Sequence, residues 1–113
     1  TAVHELGLCT SIVAAVEARA GERPVAHVKV LVGRLHHVHP EAFEQSFAVA
    51  AMGTVAAEAE AELVLVPVSA RCTACGGQWK GDEIPLGCPT CGGVNMDLVG
   101  GDELVLESIR YRA

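Results

Sequence analysis

The sequence predicts an α+β fold: two helices packed on a small three-stranded sheet, with a four-cysteine module protruding from one end. Three observations carry this expectation. Two stretches place apolar residues at helical spacing, three others have strand character, and two Cys-x-x-Cys pairs enclose a Gly-rich insert between the second and third strands. The same order divides the chain into residues 1–70 plus 100–113 as an α/β domain and residues 71–99 as an inserted domain.

From Leu6 to Ala20, the apolar residues Leu6, Cys9, Val13, Val16 and Ala20 step by three and four, which defines one face of an amphipathic helix. Gly21 and Pro24 end it. Val25 to Val32 reads as a strand, with Ala26, Val28, Val30 and Val32 facing the core and His27 and Lys29 opposite; Gly33 breaks the alternation. His39-Pro40-Glu41 has the form of a helix start, with Pro at the first helical position and an acid in the first turn. Phe43, Phe47 and Ala50 or Ala51 supply the buried stripe of this second helix, and Gly53 its C-terminal cap. Val55 to Glu62 has helical propensity without a strong apolar face and reads as a connector. Leu63 to Ala70 is the second strand, where Pro67 requires an edge or a bulge. Leu104 to Tyr111 is the third, introduced by Gly100-Gly101, and the strands on either side of the insert are expected to pair.

Half of the 113 residues are apolar but only 4% are aromatic, so the core must be built from Ala, Val and Leu. No apolar stretch approaches the roughly 20 residues a membrane helix needs, and no basic-then-apolar secretion signal opens the chain. These features predict a soluble, cytoplasmic protein without a membrane partner. The net charge of −6, with eight scattered basic residues, argues against nucleic acid, whose non-specific binding rests on Lys and Arg neutralising phosphates. It favours metal cations or a basic protein surface.

The segment Cys72-Thr73-Ala74-Cys75-Gly76-Gly77 is echoed by Cys88-Pro89-Thr90-Cys91-Gly92-Gly93. Two intervening residues let one tight turn aim both sulfurs at a tetrahedral Zn²⁺, and the following glycine tolerates the positive φ the turn needs. The twelve residues between the pairs suffice for a short hairpin arm. Four thiolates leave no open position for water or substrate, so the zinc is structural and its binding energy becomes folding energy. Two disulfides or a redox dithiol fit less well, because a redox Cys-x-x-Cys normally opens a helix and does not come in duplicate. Cys9, on the apolar helix face, reads as a small buried thiol.

Val3-His4-Glu5-Leu6, with Leu8-Cys9 and Ile12-Val13, resembles the opening of the HypA/HybF family, the nickel metallochaperones of [NiFe]-hydrogenase maturation. The resemblance continues through Val32-Gly33-Arg34-Leu35, Val38-His39-Pro40-Glu41-Ala42-Phe43 with Phe47, Gly53-Thr54, both cysteine pairs and Gly100-Gly101-Asp102-Glu103-Leu104. It covers essentially the whole chain and is specific as an ordered set. It implies a non-enzymatic protein with structural Zn²⁺ at Cys72, Cys75, Cys88 and Cys91. Transient Ni²⁺ cargo would bind at His4, with Glu5 contributing backbone or carboxylate. The implied partners are a HypB-type GTPase and the hydrogenase large subunit, with a homodimer left open. Family members typically begin Met-His-Glu, whereas Thr1, Ala2 and Val3 precede His4 here. The terminal amine is therefore expected to lie too far along the chain to close the usual chelate rings.

His36, His37 and His39 form a further local cluster of histidines. If the first strand continued, His37 and His39 would share a face and could hold auxiliary nickel, against the plainer reading of a solvated strand end. The competing function is a zinc-ribbon protein–protein adaptor that has lost nickel binding. An enzyme is disfavoured by the lack of a nucleophile–base pair, phosphate loop or open metal site. A nucleic-acid-binding ribbon is disfavoured by the acidic charge and by Trp79 as the module's sole aromatic.

Overall fold

The computed structural model describes residues 2–113; Thr1, and with it the terminal amine, lies outside the described residues. The elements are α1 (Ala2–Ala20), β1 (Val25–Gly33), a 3₁₀ turn (Arg34–His36), α2 (Pro40–Ala51), β2 (Glu60–Val66), β3 (Val68–Cys72), β4 (Gln78–Gly81), β5 (Met96–Gly100) and β6 (Leu104–Tyr111). The strands form two three-stranded sheets, ordered β2-β1-β6 and β4-β3-β5. The chain divides into two compact units, one of Thr1–Leu31, Val38–Val64 and Val105–Ala113, the other of Val32–His37 and Leu65–Leu104.

The α+β class with two helices holds, and several local expectations change. The strand expected over residues 63–70 is two strands, because Pro67 has no N–H for a ladder and stands between β2 and β3, which join different sheets. The expected pairing of residues 63–70 with residues 104–111 does not form, since β1 lies between β2 and β6; the strands that do close around the cysteine arm are β3 and β5. Helix α1 begins at Ala2, so His4 and Glu5 sit in its first turn and not ahead of it.

In the first unit the inward face of α1 is Glu5, Cys9, Ile12, Val13, Val16 and Ala20, while Leu6 is 39% exposed. The expected stripe included Leu6, but Glu5 lies four residues before Cys9 and takes the inward position. Helices α1 and α2 pack together, and α2 buries Phe43, Ser46, Phe47 and Ala51, with the two rings stacked 6.4 Å apart. Gly21, at φ 62°, ends α1 with its N–H on the Glu17 carbonyl at 3.0 Å, in the left-handed conformation typical of a helix C-terminus. On β1, Val25, Val28, Val30 and Val32 are buried, whereas Ala26 is half-buried. His27, expected as an exposed strand residue, is largely covered and its Nε2 lies 3.0 Å from Glu62.

In the second unit β3 is the central strand, burying Val68, Ala70 and Cys72 in strict alternation. Its antiparallel partners run from Val68↔Gly81 to Arg71↔Gln78 on β4 and from Ser69↔Gly100 to Cys72↔Met96 on β5. The end of β1 belongs here as well. The Gly33 N–H donates to the Glu103 carbonyl at 2.8 Å, and the Leu35 N–H to the Gly101 carbonyl at 2.9 Å.

Candidate metal centres

Cys72 ends β3, and Cys88 opens a segment with the same local geometry. In each, the first cysteine's carbonyl accepts an N–H four residues on (Gly76 or Gly92, 2.9 Å). The same cysteine's N–H donates to the carbonyl five residues on, Cys72 to Gly77 at 2.8 Å and Cys88 to Gly93 at 2.7 Å. Gly76 and Gly92, at φ 74° and 76°, supply the left-handed residue that closes each turn. The Gly77 and Gly93 N–H groups then point at Cys75 Sγ and Cys91 Sγ, both at 3.4 Å. Two knuckles of one design thus face each other, as the sequence echo implied.

Their four sulfurs converge. Cys72 Sγ lies 3.6 Å from Cys91 Sγ, Cys75 Sγ lies 3.6 Å from Cys88 Sγ, and all four fall within 4.8 Å of one another. A tetrahedral ion with metal–sulfur bonds of about 2.3 Å sets its ligands about 3.8 Å apart, close to the two 3.6 Å pairs, so the donor set suits Zn²⁺. Cys72 and Cys88 are buried and Cys75 and Cys91 exposed. The N–H groups of Cys75 and Ala74 hold the Cys72 thiol below its usual range, and those of Cys91 and Thr90 bring Cys88 down to about 6. The Gly77 N–H pulls the Cys75 thiol down, but the crowding Cys88 and Cys91 sulfurs push it up to about 11. The fold therefore provides thiolate-favouring donors on the first cysteine of each knuckle, and a divalent cation would neutralise the crowding. Among the described residues this is the one group of three or more His, Cys, Asp or Glu side chains close enough to share an ion.

His4 is exposed on the first turn of α1. Glu5 beside it is buried, 1% exposed, and its Oε2 accepts the His39 N–H at 2.9 Å. That hydrogen bond holds the Glu5 carboxyl below its ordinary value of 4.5 against the opposing effect of burial. His39 is the N-cap of α2, with Pro40 at the first helical position as expected, so the Glu5 carboxylate also sits at the positive end of a helix. The sequence reading missed this role; the available signal was the four-residue step from Glu5 to Cys9.

The shared strand face on which an auxiliary His37–His39 site depended does not exist. Strand β1 stops at Gly33, His37 takes a left-handed conformation at φ 53°, and His39 caps α2. His36 instead donates through Nε2 to the Asp102 carbonyl at 3.0 Å. Cys9 is fully buried with its Sγ 3.5 Å from the Phe43 carbonyl, and burial together with the Glu5 charge pushes its thiol up to about 12. It is a packing group, as expected.

Fold and site together define a small α+β protein with a four-cysteine metal-binding cluster. The family described as "Hydrogenase/urease nickel incorporation, metallochaperone, hypA" matches residues 3–111, and the chain belongs to this HypA family. It is 33% identical over 110 residues to the hydrogenase maturation factor HypA of Desulfitobacterium hafniense (strain DSM 10664 / DCB-2), covering 95% of this chain and 96% of that one. It is 37% identical over 105 residues to hydrogenase maturation factor HypA 2 of Bradyrhizobium diazoefficiens, covering 90% and 93%. The solution structure of the nickel metallochaperone HypA from Helicobacter pylori shares the fold, with a TM-score of 0.68 at 22% identity over 96% of this chain and 97% of that one.

Proposed function

We propose that this protein carries Ni²⁺ for insertion into the large subunit of [NiFe]-hydrogenase, binding it at His4 and using Zn²⁺ on Cys72, Cys75, Cys88 and Cys91 as a structural ion. The observation that carries the reading is the family match over residues 3–111, which spans both His4-Glu5 and the four-cysteine cluster. The four-sulfur geometry supports a resident ion held for folding, since a filled tetrahedron has no position for an exchangeable ligand. Cargo then needs a separate, accessible donor, and exposed His4 is suited to it because Ni²⁺ accepts imidazole readily. Glu5 commits its carboxylate to His39, so its contribution to nickel is through its backbone or its influence on the first turn. A HypB-type GTPase and the hydrogenase large subunit are the partners this function requires. The work belongs in the cytoplasm; no described helix is long and apolar enough to cross a membrane. The reading as a zinc-ribbon adaptor without nickel has no observation in its favour.

The test is a nickel titration of the zinc-loaded protein beside His4→Ala. One tight equivalent in the parent, lost in the variant at unchanged zinc content, is the expected result. Equal binding in both would remove His4 from the site, and no binding in either would restore the adaptor.

A further inference from the structure

The charge of the chain is not spread evenly. Outside residues 81–109, eight acidic residues face eight basic ones. Inside that stretch stand Asp82, Glu83, Asp97, Asp102, Glu103 and Glu107, without a single Lys or Arg, so the whole net charge of −6 falls there. Most of the stretch belongs to the second compact unit, where Asp82, Glu83, Asp97 and Asp102 are exposed.

The same stretch carries exposed apolar side chains. Of the ten large hydrophobic residues exposed among the described residues, Ile84, Leu86, Val94, Leu98, Val99 and Leu104 lie in the second unit. Single exposed hydrophobics are ordinary, but a cluster of them rimmed by polar groups marks a contact surface. The cause is local. Between Gly81, which ends β4, and Met96, which opens β5, the chain has neither strand nor helix and is shaped by the second knuckle. The Cys88 N–H donates to the Gly93 carbonyl at 2.7 Å, and a Cβ on Gly87 would stand 3.6 Å from the Gly92 and Gly93 carbonyl oxygens. The chain entering the knuckle thus lies against the chain leaving it. Leu86 and Val94 are the next residues outward on the two sides, 100% and 76% exposed, and Ile84 follows beyond Pro85.

We propose that Ile84, Leu86 and Val94, set among Asp82, Glu83 and Asp97, form a docking surface for a basic protein segment, one that places apolar side chains between Lys and Arg. This goes beyond nickel carriage, since neither His4 nor a cargo ion enters it. The charge selects the occupant. Two copies meeting arm to arm would bring like charges together, and an anionic membrane or a nucleic acid is repelled likewise. A cationic segment is drawn to the arm, and its apolar side chains cover Leu86 and Val94 on contact. Arg34, 3.4 Å from Asp82, and Arg71, opposite Asp97 in the β3–β5 register, temper those two acids. Glu83 is therefore the acid whose loss reads the attraction most directly.

A reporter stands at the root of the arm: a Cβ on Gly81 would meet the Trp79 ring carbons Cη2 and Cζ2 at 2.5 Å, so the indole covers that glycine. The experiment titrates the zinc-loaded full chain with a tryptophan-free amphipathic helical peptide of Leu and Lys, followed by Trp79 emission and calorimetry, beside the same peptide with Glu for Lys. Only the Lys peptide should bind, more weakly as salt rises. Leu86→Ser should weaken it by at least about tenfold, the scale of one leucine side chain buried on contact. Glu83→Gln should weaken it about twofold to fivefold and reduce the salt dependence. Val49→Ser, at an exposed apolar position in the first unit, should change nothing. Because Leu86 is fully exposed, its substitution spares the fold, which zinc content and circular dichroism check. Unchanged affinity in Leu86→Ser, an equal loss in Val49→Ser, or equal binding of the Glu peptide would overturn the proposal. A concentration-dependent dimer, or adhesion to phosphatidylcholine vesicles, that Leu86→Ser abolishes would overturn it too, by giving the surface to a different occupant.

Discussion

Glu5 shows how one side chain can serve packing and the start of a distant helix at once. Its Oε2 accepts the His39 N–H from a fully covered position, so Glu5→Ala leaves that donor without its partner, at a cost of about 1–3 kcal/mol. Urea denaturation at neutral pH measures it directly. The pH dependence has a definite sign. The folded-state pKa is depressed, so the stabilisation is fully present above the ordinary value of 4.5 and is lost as pH falls through the lower folded value. Glu5→Gln keeps an acceptor but cannot titrate, and should flatten that acid-side loss in stability. An identical acid limb in Glu5→Gln would show that other carboxylates produce it. At this scale the sequence was partly legible: the cysteine ligands follow from their spacing, whereas Glu5 was passed over in favour of Leu6. A carboxylate is seldom fully buried unless paired, and its partner here lies 34 residues away, where no local pattern shows it.

Among the elements, the glycines explain what the strand patterns could not. Gly33 ends the alternation of β1, and a Cβ built there would overlap the Gly101 carbonyl. Gly101, at φ 115°, would place its own Cβ 2.6 Å from Val68 Cα. Two backbones therefore run in close approach, held by the Gly33-to-Glu103 and Leu35-to-Gly101 hydrogen bonds. Gly33→Ala should destabilise the second unit by about 1–3 kcal/mol, as overpacking does, although Gly33 φ lies in the ordinary extended region. Gly76→Ala is the contrast. Its Cβ would meet nothing within 4 Å, so only the left-handed φ of 74° resists it, at about 1–2 kcal/mol. Thermal unfolding followed at Trp79 on β4 measures both; a neutral Gly33→Ala would show that the approach relaxes freely. The helices, β1 and β6 were legible because periodicity is local. The break at Pro67 was read as an edge or bulge because a proline's effect on sheet membership depends on strands distant in sequence.

Across the whole molecule, the two compact units depend on different sources of stability. The first buries Cys9, Val16, Val28, Phe43, Phe47 and their neighbours, an ordinary apolar core between two helices and a sheet. The second buries few large side chains and leaves Leu86 fully exposed and Val94 76% exposed, so its four sulfurs must supply through a metal what its core lacks. Both α-helices lie in the first unit, while Trp79, the chain's single tryptophan, lies in the second. Spectroscopy can therefore follow the units separately in one sample. Metal removal by a strong chelator under reducing conditions should shift Trp79 emission to the red and loosen β3, β4 and β5. Far-ultraviolet circular dichroism at the helical minimum should stay largely intact, because α1 and α2 keep their shared core. Zinc should restore the emission at one equivalent per chain. A joint loss of helix signal and Trp79 environment would show that the units unfold as one cooperative body, so that the ion stabilises α1 and α2 as well as its own arm.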